Sequence, residues 1–173
     1  MLLAVPYETI ELAKIQIEPF HTDRRQRRTA PLLYRDAGLT LTGCSILCPP
    51  LPISHYDPVS NRLKLEMTNR ILGLRLYAIQ DCIANHLFTT RVLPDLSLRE
   101  IHGILQKLYL PTTLTVYAYP TTPVQTDRGP QDLASLEPGS SLQFVLRIHG
   151  LLLLENRGVP HVRIQHSIVA LSA

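Results

Sequence analysis

Arginine, histidine, glutamine and tyrosine recur at alternate positions near the C-terminus. Arg147 and His149 alternate with Leu146 and Ile148, and Arg163 and Gln165 alternate with Val162 and Ile164. Tyr117 and Tyr119 follow Leu114 and Val116 in the same two-residue beat. A strand with that beat turns its polar members to one side. Arginine offers a planar fork to phosphate, tyrosine a face on which a base stacks, and glutamine polar contacts. Such a surface suits a single-stranded nucleic acid. Tyr56 adds a third ring. The densest positive charge is Arg24-Arg25-Gln26-Arg27-Arg28. Arg24, Arg25, Arg27 and Arg28 fit a flexible arm tracking phosphates, with a nuclear address and a solvated loop as alternatives. Against the whole set stands a plainer reading: a half-buried antiparallel sheet must show water some polar face.

Other chemistry finds less support. Asp57 and Glu66 face each other across an expected hairpin, but paired carboxylates need a cleft to act. Cys82 and His86 stand four apart on an expected helix, without the third orienting group that a thiolate–imidazole pair needs. Cys44, Cys48 and Cys82 form neither a disulfide framework nor the paired spacing of a zinc site. No phosphate-cradling glycine loop or metalloprotease motif occurs. The expectation is a non-enzymatic protein with no metal and no cofactor.

The elements that position these residues follow from length and periodicity. The chain has 173 residues, 45% hydrophobic and 18% charged, with a net charge of +3. One domain over residues 1–173 is expected. The composition is too apolar for a disordered chain. The longest aliphatic run, Leu151 to Leu154, is far shorter than the ~20 residues of a membrane span. Met1 to Pro6 lacks the basic start and apolar stretch of a signal peptide. Three free cysteines fit a reducing intracellular compartment.

Strands are expected at both ends and helices between them. Thr9–Ile17 reads as a strand with a bulge where the phase slips between Leu12 and Ile15. Leu39–Leu47 reads as a strand containing Gly43, and Ile53–Tyr56 with Leu63–Met67 as a hairpin about Asp57-Pro58. Pro49-Pro50-Leu51-Pro52 reads as a break. Leu72, Leu76, Ile79, Ile83 and Leu87 predict one helix face, capped by Thr68 or Asn69. Ser97 with Glu100 predicts a capping box, followed by the stripe Ile101, Ile104, Leu105 and Leu108 and an end at Pro111. Thr112–Tyr119 and the two C-terminal alternations predict strands, the last two turning at Glu155–Gly158. Mobile loops are expected near 21–30 and 120–138.

Two blocks carry a family resemblance. One runs from Cys48-Pro49-Pro50-Leu51-Pro52-Ile53 through Tyr56-Asp57-Pro58 to Arg62-Leu63-Lys64-Leu65. The other runs from Pro138-Gly139 through Leu142 to Gly150 and resumes at Val162-Arg163-Ile164-Gln165-His166-Ser167-Ile168-Val169. Both resemble segments of single-stranded-DNA-binding proteins of large eukaryotic DNA viruses. Scarce aromatics and the long 120–138 segment depart from that family. The resemblance implies an oligonucleotide-binding-like fold and a role in viral DNA replication, recombination or repair. It places the protein in the host nucleus or a cytoplasmic viral factory.

The expected architecture is α+β: an antiparallel β-barrel with two helices inserted between strands. The expected partner is single-stranded DNA, with RNA as the alternative and no membrane. Protein partners would be a second copy or other replication proteins. A different class of function is the runner-up: a structural or assembly protein, such as a minor virion component, using its β-surface for protein contacts.

Overall fold

A computed structural model describes residues 3–173; Met1 and Leu2, the start of the stretch read for a targeting signal, lie outside them. Two short strands come first, β1 (Val5–Pro6) and β2 (Ile15–Ile17). The expected Thr9–Ile17 strand is only its last three residues. The phase slip before Ile15 is a 3-10 turn over Leu12–Lys14, with Ile15 N–H bonded to the Leu12 carbonyl. The Lys14 ammonium then sits 2.7 Å from Asp36 and 3.3 Å from Glu11.

The basic segment forms a hairpin instead of the expected loop. Strands β3 (His21–Thr22) and β4 (Arg28–Asp36) pair antiparallel, His21 opposite Thr29. Asp23 closes the turn between them. Its Oδ1 accepts from Arg25 N at 2.9 Å and Arg27 N at 2.8 Å, and its Oδ2 from Arg27 Nε at 2.9 Å. These bonds, the Arg27 amide foremost, hold the Asp23 carboxyl below the usual range.

Strands β5 (Leu39–Thr42) and β6 (Cys44–Leu47) are separated by Gly43, whose φ of +81° suits glycine. The hairpin of β7 (Leu51–Asp57) and β8 (Arg62–Glu66) forms as expected. Asp57 holds its turn by accepting from Val59 N at 3.0 Å and Ser60 Oγ at 2.7 Å. The proline break is shorter than expected, because Pro52 lies inside β7, opposite Ser141.

Helices α1 (Arg70–Thr89) and α2 (Leu98–Ile104) follow. The predicted α1 stripe is buried throughout, and Asn69 caps it by accepting from Leu72 N at 3.0 Å. Each such buried aliphatic side chain contributes ~1.5–3 kcal/mol. The Ser97–Glu100 capping box is complete. The second helix stops at Ile104, short of Pro111, and Leu105 turns extended.

Six strands complete the fold: β9 (Tyr109–Leu110), β10 (Thr113–Tyr117), β11 (Pro123–Thr126), β12 (Gly129–Asp132), β13 (Ser141–Asn156) and β14 (Val159–Ser172). The 120–138 segment, expected as a loop, folds into the β11–β12 hairpin and a 3-10 turn at Leu133–Ser135, anchored by buried Val124 and Leu133.

Strand β13 is the axis of the sheet. It pairs with β14 along one edge, and with β7, β6 and β4 in turn along the other. Its register with β14 shifts between Ile148 and Gly150, so His149 is the extra residue of a bulge. Gly150 lies against β4, where a Cβ would run into the Ala30 carbonyl oxygen and stand 3.1 Å from Pro31 Cα. Only glycine lets the two backbones approach that closely.

Among the described residues the result is α+β, strand-rich with two helices. The strand path runs β12-β11-β14-β13-β7-β8-β10-β9 between two ends, so the pairing leaves open the barrel that was expected to be closed. Among the described residues, no helix is long and apolar enough to cross a membrane.

Candidate nucleic-acid interface

Cross-strand pairing brings four predicted residues onto one sheet face. Thr29, Leu152 and Arg163 form one row, with His21 beyond Thr29. Pro31, Gly150 and Gln165 form the next, with His149 in the bulge beside them. Ser45, Arg147 and Ser167 form the third. Rows two residues apart are ~6.8 Å apart along the strand. None of these row residues is acidic, so a phosphodiester would meet no carboxylate in them.

Within that strip the side chains differ in freedom. Arg163 and His149 are exposed and Gln165 is half-buried. His149 Nε2 is 2.8 Å from Ser167 Oγ. Burial, and then the Arg147 charge, lowers the His149 pKa. Arg147 is folded over the chain at Gly43. Its Nη2 donates to the Thr42 carbonyl at 2.9 Å, and its Nε is buried without a partner. Its guanidinium therefore holds the β5–β6 corner.

The basic hairpin tip lies beyond the first row, since Arg28 pairs with Leu153 and His21 with Thr29. Arg24, Arg25 and Arg28 are exposed. Arg27 is half-buried and bonded to Asp23, and the Arg28 guanidinium carbon sits 5.9 Å from the centre of the Phe20 ring. The four arginines are thus carried on a built turn. Two to three of them keep free guanidinium faces.

The tyrosines stand elsewhere. Tyr56 is half-buried, and its hydroxyl donates to the Ala118 carbonyl at 2.6 Å, tying β7 to the end of β10. Burial, and then the Asp57 charge, raises its pKa. Tyr117 and Tyr119 are 37% and 73% exposed, while Leu114, Val116 and Ala118 are buried, as the alternation predicts. Their rings lie at the β14 edge opposite β13, lining one cavity with Ser167 of the third row.

A seam joins β10 to that edge. Tyr117 N donates to His166 Nε2 at 3.0 Å. With Nε2 accepting, the proton is on Nδ1, which donates to the Ile164 carbonyl at 2.8 Å. Burial foremost keeps the His166 pKa below 6.5. The Tyr117 ring rests on His166 at 5.6 Å between centroids, and the Arg62 guanidinium carbon is 5.9 Å from its centre. Beside the seam opens a cavity of about 260 Å³ lined by Asn61, Tyr117, Ala118, Tyr119, Thr122, His166, Ser167 and Ile168.

Sequence reasoning did not single out His166, Ser167 or Asn61. The usable signal was His166 itself, a polar side chain on the aliphatic Val162–Ile168 face, which must find partners if buried. Cys44 and Cys48 are buried and their thiols are pushed up to about 12 by burial, which leaves them unreactive. Among the described residues no three His, Cys, Asp or Glu side chains gather as metal ligands. No protein-family model, curated protein or solved structure matches the chain.

Proposed function

We propose that the protein binds single-stranded nucleic acid, DNA in preference to RNA, without catalysis. The observation that carries this reading is the co-facial placement of Arg147, His149, Arg163 and Gln165 on β13 and β14. The exposed Arg24, Arg25 and Arg28 extend it at one end. Arg163 and the hairpin arginines take phosphates, Gln165 and His149 make polar contacts, and Tyr117 and Tyr119 meet bases at the β14 edge. An oligonucleotide-binding-like type of fold belongs to the same proposal. In its favour, the His166 seam stands between β10 and β14, where the last strand pair of a barrel would lie. A viral role in DNA replication, recombination or repair rests on the resemblance of the two blocks.

The test is fluorescence anisotropy with labelled oligo-dT and a matched duplex across salt concentrations. The log of affinity should fall linearly with log salt, by about 0.7 per phosphate contact on single strands. Arg24→Gln, Arg25→Gln and Arg163→Gln together should make the slope shallower by about 2. Binding that is indifferent to salt, or a slope unchanged in the triple variant, refutes the reading.

One observation favours an assembly protein, though through α1 and not through the β-surface expected of it. Ile71, Leu74 and Tyr77 form an exposed stripe on α1, 49%, 59% and 63% accessible. Under that reading the contact is helical, and association with a protein partner would persist at high salt.

A further inference from the structure

We infer that the cavity beside the β10–β14 seam takes one unstacked base of the bound strand; this rests on the single-strand reading above. The first argument is the edge of β14. On its side away from β13, strand contacts occur at Val162, bridged to Leu105, and at Ser172, paired with Gln125. Between them the Ile164 amide bonds to Gln106 Oε1 at 2.9 Å and the Ile164 carbonyl to His166 Nδ1 at 2.8 Å. Alternation puts the amides and carbonyls of His166 and Ile168 on that same side. Among the described residues no strand pairs with them there. An amide donor and a carbonyl acceptor beside one cavity match a base edge, which also sets donors beside acceptors.

The second argument is size and shape. About 260 Å³ holds roughly nine water-sized groups at ~30 Å³ each, the scale of a single base ring. Two planar groups frame it. The Tyr119 ring is largely exposed and free to stack. The Tyr117 ring is already fixed by His166 and Arg62, so little rotamer entropy is lost on contact.

The third argument is continuity. Ser167 lines the cavity and is also the hydrogen-bond partner of His149 on the arginine strip. A strand whose phosphates follow Arg163, Gln165 and His149 therefore reaches the rim at Ser167, where one base can turn over the β14 edge. The two sets of predicted residues, on different sides of β14, become one path.

The experiment uses the full chain and short oligothymidylates, with 2-aminopurine in place of one thymine as reporter. Tyr119→Ala removes the free stacking face, and Thr122→Phe fills the cavity from its wall. Both should melt like the wild type and bind oligo-dT about tenfold or more weakly. The reporter signal should change on binding to the wild type and stay flat with Thr122→Phe. If the wild type binds no oligo-dT, the single-strand reading falls and this inference with it. If the wild type binds and both variants bind equally well, the cavity is not a base site and the single-strand reading stands.

Discussion

Gly150→Ala tests whether the close crossing of β13 and β4 sets the geometry of the strip. The new methyl would meet the Ala30 carbonyl oxygen and stand 3.1 Å from Pro31 Cα. Carbon pairs prefer ~3.5–4.0 Å. Both obstacles are backbone atoms, so no side chain can rotate out of the way. The strands must part, and pairing from Gly150 to Leu153 with Pro31 to Arg28 loosens at its first step. Overpacking of this kind costs ~1–3 kcal/mol. A stiffer unfolded chain offsets ~0.4–1 kcal/mol of that. A net loss of about 1–2 kcal/mol, at ~2–4 °C per kcal/mol for a chain this size, lowers Tm by about 2–8 °C. The control is Gly103→Ala in α2, where a Cβ meets nothing within 4 Å and alanine is the better helix former. It should raise Tm slightly. Thermal melts of the two variants side by side give the answer. A Gly150→Ala protein at least as stable as the wild type would mean that the crossing has slack and does not set the geometry of the strip.

Acidification should destabilise the protein. The His166, His149 and His86 pKa values are all lowered in the fold, so the folded state binds fewer protons than the unfolded chain as pH drops through 6.5 toward the folded values. Stability is full above about pH 6.5 and lost below, and a Tm that is flat or higher at pH 5.5 than at pH 8 would contradict this. Ser97→Ala should cost ~0.5–2 kcal/mol by opening the capping box, read as a lower urea midpoint with unchanged slope. Asp23→Ala should abolish hydrogen-exchange protection at the Arg25 and Arg27 amides, and protection that survives would show another acceptor holding the turn.

The sequence was most legible where a pattern is local. The α1 stripe, the Ser97–Glu100 box and the Leu114–Val116–Ala118 alternation each depend on neighbours within four residues, and each is where periodicity puts it. Legibility failed where one polar side chain decides the backbone. Asp23 turns a basic run into a hairpin by accepting three bonds, and nothing in the run's composition separates that from a solvated loop. It also failed on β13. That strand is flanked on both edges and covered over part of both faces, so Val145 and Leu152 are buried along with Leu146 and Leu151, and a two-residue beat cannot choose a face through such a stretch. The bulge at His149 then resets the phase.

The candidate site was legible as residue types and not as a place. Arg163, Gln165, Arg147 and His149 could be grouped because the two strands are consecutive and their register follows from one turn. The tyrosines could not be placed relative to them, because the link is a bond from Tyr117 N to His166, 49 positions away. Under the proposed reading, that link couples recognition to stability. Neutral His166 accepts from Tyr117 and holds β10 against β14. Protonated, its Nε2 becomes a donor facing a donor, and the seam loses its bond. The histidine that keeps the seam closed also forms one wall of the proposed base cavity. His166→Gln, which can still accept from Tyr117 N, should therefore preserve binding better than His166→Ala at neutral pH.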